Sequence, residues 1–244
     1  MNCLTGKSAL VTGGARRIGR AIALALARAG ADVTITYRHS ADEAVETVDA
    51  VEQLGRQAHA VECNVRSEVS VRAAIEAAAG YHRRLDILVN NAAVFDTAPL
   101  DQLSLASWDL VFETNVRGPF LVSREALPHL RAAKGRIVNL GSLGGLEPWT
   151  GHAHYCASKA ALHMLTQTMA KAWAPEVAVN CVAPGWIEME DEPEAQDRAA
   201  LFAAKTPMQR NGTAEDVAQA VLFFASAAEF ITGQILTVDG GLGL

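Results

Sequence analysis

The stretch SALVTGGARRIG, residues 8–19, decides the fold of this chain. An apolar strand, Ser8–Thr12, runs directly into a glycine-rich turn, and apolar periodicity predicts a helix over residues 17–29. Gly13 permits the tight turn, and Gly19 permits close packing of the helix on the strand. The helix N-terminus then offers free N–H groups to a pyrophosphate. The stretch therefore predicts a dinucleotide-binding unit at the start of the chain.

Beyond this unit, apolar strand-like runs alternate with helical patterns along the chain. This alternation predicts βαβ units in a parallel sheet, whose strands are buried on both faces. The predicted strands are Ser8–Thr12, Asp32–Tyr37, Ala58–Val65, Asp86–Asn90, Arg136–Leu140, Val177–Val182 and Gln234–Val238. The predicted helices cover residues 17–29, 41–54, 67–79, 104–131, 153–173 and 213–226. The acidic segment 188–197 interrupts the pattern and is interpreted as an exposed, mobile excursion.

Composition and charge exclude several classes of function. The 244 residues carry a net charge of −6 without clustered Lys and Arg, so no nucleic-acid partner is expected. No apolar run reaches the ~18 residues that a membrane span needs, and no signal peptide is evident. The four cysteines lack CxxC spacing, which predicts a reducing, cytoplasmic setting. His152 and His154 have no evident third ligand, so no metal is expected and they are interpreted as loop lining or surface.

The end of the second predicted strand indicates which nicotinamide cofactor is used. An acidic residue there would bind the ribose 2′-hydroxyl of NAD(H), but this chain has Tyr37-Arg38-His39-Ser40. Arg38 can pair with a 2′-phosphate, Ser40 can hydrogen-bond it, and Arg16 lies in the adjacent turn. The sequence therefore favours NADP(H) over NAD(H). The alternative is that Arg38 is a solvated surface residue.

Tyr155 and Lys159 form the candidate acid/base pair. Four residues apart on one predicted helix, their side chains share a face. A neighbouring cation stabilises phenolate, so we expect the pKa of Tyr155 to lie below its usual value near ~10. Ser142 follows the predicted strand Arg136–Leu140, and its hydroxyl can hold a substrate oxygen as charge develops there.

With these motifs in place, the sequence resembles the classical short-chain dehydrogenase/reductase family over essentially its whole length. The matching stretches are TGGARRIG at 12–19, NNAA at 90–93, TNVRG at 114–118, GSLGG at 141–145, YCASK at 155–159, PGWI at 184–187 and VDGG at 238–241. The resemblance implies an α/β fold: a single Rossmann-type domain over residues 1–244, with a doubly wound parallel sheet of about seven strands and helices on both faces. Residues 188–205 are expected to form a substrate-loop excursion.

The resemblance also implies roles for individual residues. Tyr155 is the general acid in reduction, Ser142 orients the carbonyl, Lys159 holds the nicotinamide ribose, and Asn115 supports a proton-relay water. Together with the turn and the second strand, the expected cofactor contacts are Gly13, Arg16, Arg17, Ile18, Gly19, Tyr37, Arg38, His39, Ser40, Asn64, Val65, Asn91, Ala92, Ala93, Tyr155, Lys159, Pro184, Gly185, Trp186 and Ile187. The expected substrate contacts are Phe95, Ser142, Tyr155 and Trp186.

The sequence resembles two subfamilies of this family. Arg17 replaces the usual middle glycine of the turn and, with Phe95, is similar to the pteridine reductases, where an aromatic residue stacks on the pterin. Those enzymes usually carry aspartate at the position of Ser142. The motifs also resemble the 3-oxoacyl-carrier-protein reductases, but Ala133 and Pro175 stand where such enzymes use basic residues to dock their carrier. Phe95 and Trp186 have the alternative of plain loop packing.

The leading hypothesis is an NADPH-dependent reductase of a small ketone or aldehyde, with acyl thioesters left open. Dihydropterin reduction is the second hypothesis, and a cofactor-binding regulator without catalysis is the third. The resemblance also implies a homotetramer or a homodimer, formed by the helices within 104–131 and 153–173 and by the C-terminal segments.

Overall fold

The computed structural model describes residues 3–189 and 196–244. Its centre is a seven-stranded sheet in the order β3-β2-β1-β4-β5-β6-β7, with every neighbouring pair parallel. The strands are β1 (Ser8–Val11), β2 (Asp32–Tyr37), β3 (Ala58–Glu62), β4 (Ile87–Asn90), β5 (Arg136–Leu140), β6 (Ala178–Pro184) and β7 (Ile235–Val238). The predicted Rossmann-type sheet is confirmed.

Helices cover both faces of the sheet. They are α1 (Arg17–Arg28), α2 (Ala41–Gln53), α3 (Glu68–His82), α4 (Leu105–Phe112), α5 (Gly118–Ala133), α6 (Ala153–Trp173), α7 (Gln196–Lys205) and α8 (Ala214–Ser226). One apolar core unites α1, α2 and α8 with the sheet, and the opposite core unites α3, α5 and α6 with it. Alternate residues of a strand enter opposite cores: Val11 packs with the first group and Leu10 with the second.

Most predicted element bounds differ from the structure by one to three residues. The predicted helix 104–131 is divided by a π-helical turn, Glu113–Arg117, between α4 and α5. The predicted strand Ala58–Val65 ends at Glu62, after which the chain turns across the sheet edge with Cys63 N–H donating to Tyr37 O at 2.7 Å. Strand β6 extends two residues past its predicted end, to Pro184.

The predicted excursion over residues 188–205 contains a helix in its second half. Residues Gln196–Lys205 form α7, which periodicity did not reveal because the helix is short and follows an acidic run. Just before the acidic segment, Ile187 forms an isolated parallel β-bridge with Gly212. The acidic segment 188–197 is predicted to be exposed and mobile. Its residues 190–195 lie outside the described residues.

The strand order indicates where a ligand binds. From β1 the chain builds outward to β3, returns to β4 beside β1, and then builds outward to β7. Ligands of doubly wound sheets bind beyond the carboxyl ends of the strands at such a reversal. The segments after β1, β4, β5 and β6 carry the glycine turn, Asn91, Ser142 and Trp186, so this edge is the candidate site. In the described part of the chain, no helix is both long and apolar enough to cross a bilayer.

Candidate active site

The glycine turn after β1 is built for close backbone approach. Gly13 adopts φ +64°, which is accessible to glycine at little cost. A methyl group on Gly19 would lie 2.1 Å from Gly13 O and 2.6 Å from Asn91 Nδ2, so any larger residue would displace the turn. The Arg16 side chain makes no capping hydrogen bond at the start of α1, and the first residues of this helix line the cavity beyond the sheet edge.

Asn91 braces this turn from the neighbouring strand. Its Nδ2 donates to Thr12 O at 2.9 Å and to Gly13 O at 3.0 Å. The N–H groups of Asn91 and Ala92 donate to Thr12 Oγ1 at 3.0 and 3.1 Å. The ends of β1 and β4 are thus cross-linked at the reversal point, which holds both loops in a fixed relation.

Arg17 occupies the position at which the family usually has glycine. Its backbone has φ +52°, a left-handed conformation that costs a non-glycine residue energy. The residue lines both cavities at the sheet edge.

Two adjoining cavities occupy the sheet edge and share lining residues that include Arg17, Asn91, Phe95 and Tyr155. The larger, about 580 Å³, is lined by the predicted cofactor contacts Gly13, Arg16, Arg17, Ile18, Gly19, Tyr37, Arg38, His39, Ser40, Asn64, Val65, Asn91, Ala92, Ala93 and Tyr155. The smaller, about 390 Å³, is lined by the predicted residues Phe95, Ser142, Tyr155, Lys159, Pro184, Gly185, Trp186 and Ile187. The tertiary structure therefore brings together every predicted site residue except Asn115.

Tyr155 and Lys159 are both held by α6 in the smaller cavity. Lys159 is buried, its Nζ donates to Leu140 O at 2.7 Å and lies 5.7 Å from the centre of the Tyr155 ring. Burial lowers the pKa of Lys159 to about 8. Burial also raises the pKa of Tyr155 to about 12, and a hydrogen bond with Ser142 acts in the opposite direction. The expected lowering of the Tyr155 pKa is wrong here, because the ammonium is directed at a backbone carbonyl and desolvation dominates.

Ser142 lies directly after β5, on a short turn that approaches α6. Its hydroxyl accepts a hydrogen bond from Gly144 N–H at 3.1 Å, and its interaction with Tyr155 lowers the pKa of that phenol against the effect of burial. The neighbouring Gly144 packs under Trp149, since a methyl group there would lie 3.0 Å from Trp149 Cε3. Ser142 and Tyr155 thus present two hydroxyl groups side by side at the cavity wall.

Asn115 does not line either cavity, and its predicted support of a proton-relay water stays a prediction. It is buried in the π-helical turn, where Nδ2 donates to Val94 O at 2.9 Å and to Ser158 Oγ at 3.1 Å. Its Oδ1 accepts from Val94 N–H at 2.8 Å. Both polar ends of the side chain are therefore engaged in holding the Val94 loop against α6.

Aromatic side chains form the mouth of the smaller cavity. Phe95 is exposed. Its ring centre lies 4.7 Å from that of His152, on which it stacks, and 4.8 Å from that of Tyr155, which it meets edge-on. Trp149 lies parallel to Tyr155 at 6.2 Å and was not predicted, because nothing in the sequence marks it apart from loop tryptophans generally. Trp186 stacks on Phe202 of α7 at 4.1 Å. These rings make a flat-walled, apolar entrance above the two hydroxyl groups.

His154 corrects another expectation, since it is fully buried and is not a surface or loop-lining residue. Its Nε2 lies 3.4 Å from Asp96 Oδ2, and Asp96 also accepts from Ser107 Oγ. This cluster ties the Phe95 loop to α4 and α6. Residues 3–189 and 196–244 contain no group of three or more His, Cys, Asp or Glu side chains placed to hold a metal ion.

Comparison with known proteins identifies the family. The family described as Enoyl-(Acyl carrier protein) reductase matches residues 13–243. The 3-oxoacyl-[acyl-carrier-protein] reductase FabG of Aquifex aeolicus is 38% identical, with 98% of each chain covered. The 3beta-hydroxysteroid dehydrogenase 1 of Eggerthella lenta is also 38% identical, with 99% of this chain and 95% of the relative covered. This protein is a short-chain dehydrogenase/reductase.

Solved structures of such dehydrogenases agree with the fold. A Burkholderia cenocepacia short-chain dehydrogenase in complex with NADP matches with a TM-score of 0.92 at 42% identity, over 99% of both chains. A blue fluorescent protein from a metagenomic library, in complex with NADPH, matches with a TM-score of 0.93 at 34% identity, over 99% of both chains. The chain is accordingly an oxidoreductase of a family that uses nicotinamide cofactors.

The larger cavity of this short-chain dehydrogenase/reductase fits such a cofactor. The turn leaves no room for a Cβ at Gly19, and the N-terminus of α1 lines the cavity, where helix N–H groups suit a pyrophosphate. Arg38, which is exposed, and Ser40, at the start of α2, lie at one end of the cavity. Lining residues that were not predicted include Arg66, whose Nη1 lies 3.4 Å from Glu113 Oε2. Arg66 and Glu113 are 47 residues apart in the sequence, so no local sequence pattern predicts that they pair.

Proposed function

We propose that the protein is an NADP(H)-dependent reductase of a small carbonyl compound. The observation that carries this proposal is the placement of Ser142, Tyr155 and Lys159 on one wall of a cavity that adjoins the glycine-turn cavity. General acid chemistry needs a proton donor at hydrogen-bonding distance from the reacting oxygen. The paired hydroxyls of Ser142 and Tyr155 offer such a position.

Tyr155 is protonated at neutral pH, which is the form that a general acid needs. With a pKa of about 12 the phenol holds its proton, so Tyr155 Oη can donate it to a carbonyl oxygen that gains charge. A nicotinamide cofactor bound across the two adjoining cavities would supply the hydride for the carbonyl carbon. Ser142 Oγ holds the same oxygen, and the Lys159 ammonium favours the phenolate left behind, as well as a ribose hydroxyl beside it.

Turnover tests this proposal directly. Purified protein is expected to oxidise NADPH with at least one member of a panel of ketones, aldehydes and 3-oxoacyl thioesters, followed at the absorbance of the reduced nicotinamide. Absence of turnover across the panel, in protein that binds NADPH, would reject the carbonyl reductase. Any turnover would in turn reject the regulator without catalysis.

Arg38→Ala tests the preference for NADP(H). A charge-assisted hydrogen bond to a phosphate contributes about 1.5–3 kcal/mol, so we expect the Kd for NADPH to rise roughly ten- to a hundredfold. The Kd for NADH should stay within about twofold, since the ribose 2′-hydroxyl carries no charge. Fluorescence titration of the reduced cofactors measures both. Arg28→Ala, which removes a cation at the far end of α1, is the matched control, and an equal loss for NADPH and NADH would contradict the assignment.

Dihydropterin reduction is the second candidate. It is favoured by Phe95, whose exposed ring stands over the cavity mouth, and by Arg17, which lines the same cavity in a strained conformation. Biopterin and dihydrofolate therefore belong in the substrate panel. NADPH oxidation with the carbonyl compounds but not with these pterins would reject this candidate.

We also propose assembly as a homotetramer or homodimer in the cytoplasm. Exposed apolar side chains on α4 and α6, among them Leu105 and Met164, support contact through these helices. The four cysteines are free, which suits a reducing compartment. Sedimentation velocity that shows only monomer at micromolar concentration would contradict the assembly, and export of the protein from the cytoplasm, tested by fractionation of the source cells, would contradict the location.

A further inference from the structure

A buried histidine lies behind the Ser142 turn. His163 is one helical turn beyond Lys159 on α6 and is 4% exposed. Its Nε2 accepts a long hydrogen bond from the Ser142 backbone N–H, at 3.4 Å. Ser142 itself is 4% exposed, so this N–H is shielded from water. A buried backbone N–H that lacks an acceptor costs free energy. The hydrogen bond to the imidazole nitrogen therefore stabilises the Ser142 turn.

The turn that carries Ser142 is wrapped around this imidazole. A methyl group on Gly141 would lie 2.3 Å from His163 Nε2, and one on Gly145 would lie 2.6 Å from His163 Cε1. Both glycines are therefore needed for the turn to approach these two adjacent ring atoms so closely. Packing this tight transmits a change at residue 163 to the backbone of Ser142, because protein interiors leave little free volume for relaxation.

The imidazole is held neutral in its surroundings. Burial, and then the nearby Lys159 ammonium, lower the pKa of His163 to about 4. A neutral imidazole has one nitrogen that donates and one that accepts. Because Nε2 faces an N–H group, the proton resides on Nδ1, and the acceptor is retained throughout the neutral pH range.

We propose that His163 is a positioning residue, which holds the Ser142 hydroxyl beside Tyr155 through its bond to the Ser142 N–H and its packing between Gly141 and Gly145. This inference rests on the proposed function, since it assigns His163 a role through Ser142. The side chain contacts neither proposed reactant position directly: it is absent from the lining of both cavities. Its effect must therefore disappear when the Ser142 hydroxyl is removed.

A double-mutant cycle between His163→Leu and Ser142→Ala tests the proposal. Small misplacement of a reacting group costs up to about a hundredfold in rate, so we expect His163→Leu to lower kcat about tenfold or more. In the Ser142→Ala background the same change should lower kcat less than twofold, because residues that act through one another are not additive. His163→Gln offers Oε1 near the position of Nε2 and should recover most of kcat. The Kd for NADPH should remain unchanged in all of these variants.

Two controls separate positioning from general stability. Thr166→Val removes a buried polar group one turn further along α6, where Thr166 Oγ1 accepts from Asn139 Nδ2 at 2.8 Å, and it should lower the melting temperature without lowering kcat. Hydrogen exchange of the peptide that contains Ser142, followed by mass spectrometry, should accelerate in His163→Leu and return towards the wild-type rate in His163→Gln. This measurement needs no turnover.

The outcomes distinguish the two proposals. Equal losses of kcat from His163→Leu in both backgrounds, or unchanged exchange of the Ser142 peptide, would overturn the positioning role alone. A Ser142→Ala variant with full activity would instead overturn the proposed function, and the role of His163 with it.

Discussion

Tyr155→Phe is expected to lower kcat/KM for carbonyl reduction by about 10²–10⁴-fold, the range that loss of a general acid produces. The substitution removes one hydroxyl and keeps the ring that Phe95 and Trp149 contact at 4.8 and 6.2 Å. Cofactor binding should be nearly unaffected, because the phenol acts on the substrate oxygen. Initial rates of NADPH oxidation, together with the Kd for NADPH, measure the two effects separately.

Tyr81→Phe supplies the matched control for this loss. Tyr81 is exposed and stacks on His59 at 4.6 Å, away from both cavities. Tyr81→Phe removes the same hydroxyl group, and we expect it to leave kcat/KM for carbonyl reduction unchanged. Retention of more than about a tenth of the wild-type kcat/KM in Tyr155→Phe would show that the proton comes from another group.

Lys159→Met is expected to lower activity by at least about a hundredfold and at the same time to stabilise the fold. The pKa of Lys159 falls from 10.5 to about 8 on burial, which corresponds to a cost of about 3 kcal/mol for the charged form. Below pH 8 both the folded and the unfolded chain hold this proton, so the full cost is present. Methionine has a similar shape without the charge. Urea unfolding at pH 7 measures the gain in free energy.

The pH dependence of that gain has a definite sign. Between pH 8 and about 10.5 the unfolded chain binds the Lys159 proton and the folded chain does not, so the wild type gains stability as pH rises. The advantage of Lys159→Met should therefore shrink over this window. The difference between the two proteins is the quantity to follow, because the raised pKa values of Tyr155 and Cys63 affect both. A difference independent of pH would show that the burial of the charge is not its source.

The parallel sheet and its cofactor edge were predictable from local sequence alone. Strand residues such as Leu10 and Val11 enter opposite cores, so the strands are continuously apolar and easily recognised. Gly13 and Gly19 were predictable because the turn demands a positive φ at one and leaves no room for a Cβ at the other. These requirements act over a few residues and are therefore visible in the sequence.

Helical periodicity failed where tertiary contacts override it. The run 104–131 is apolar-periodic throughout, and the π-helical turn within it is imposed by Asn115 bonding to Val94 and Ser158 across the fold. The same contacts occupy both polar ends of the Asn115 side chain. No feature of the segment itself distinguishes a side chain that faces a cleft from one that braces it.

By itself, the sequence determined the family, the fold and the set of residues that meet at the sheet edge, because motif spacing, turn glycines and apolar alternation are local properties. The tertiary structure decided how those residues are tuned. It placed the Lys159 ammonium on Leu140 O and raised the pKa of Tyr155 through burial, against the expected direction. It also set Trp149 beside the phenol and His163 behind Ser142. Desolvation and packing depend on everything that surrounds a side chain, so they arise only once the chain has folded.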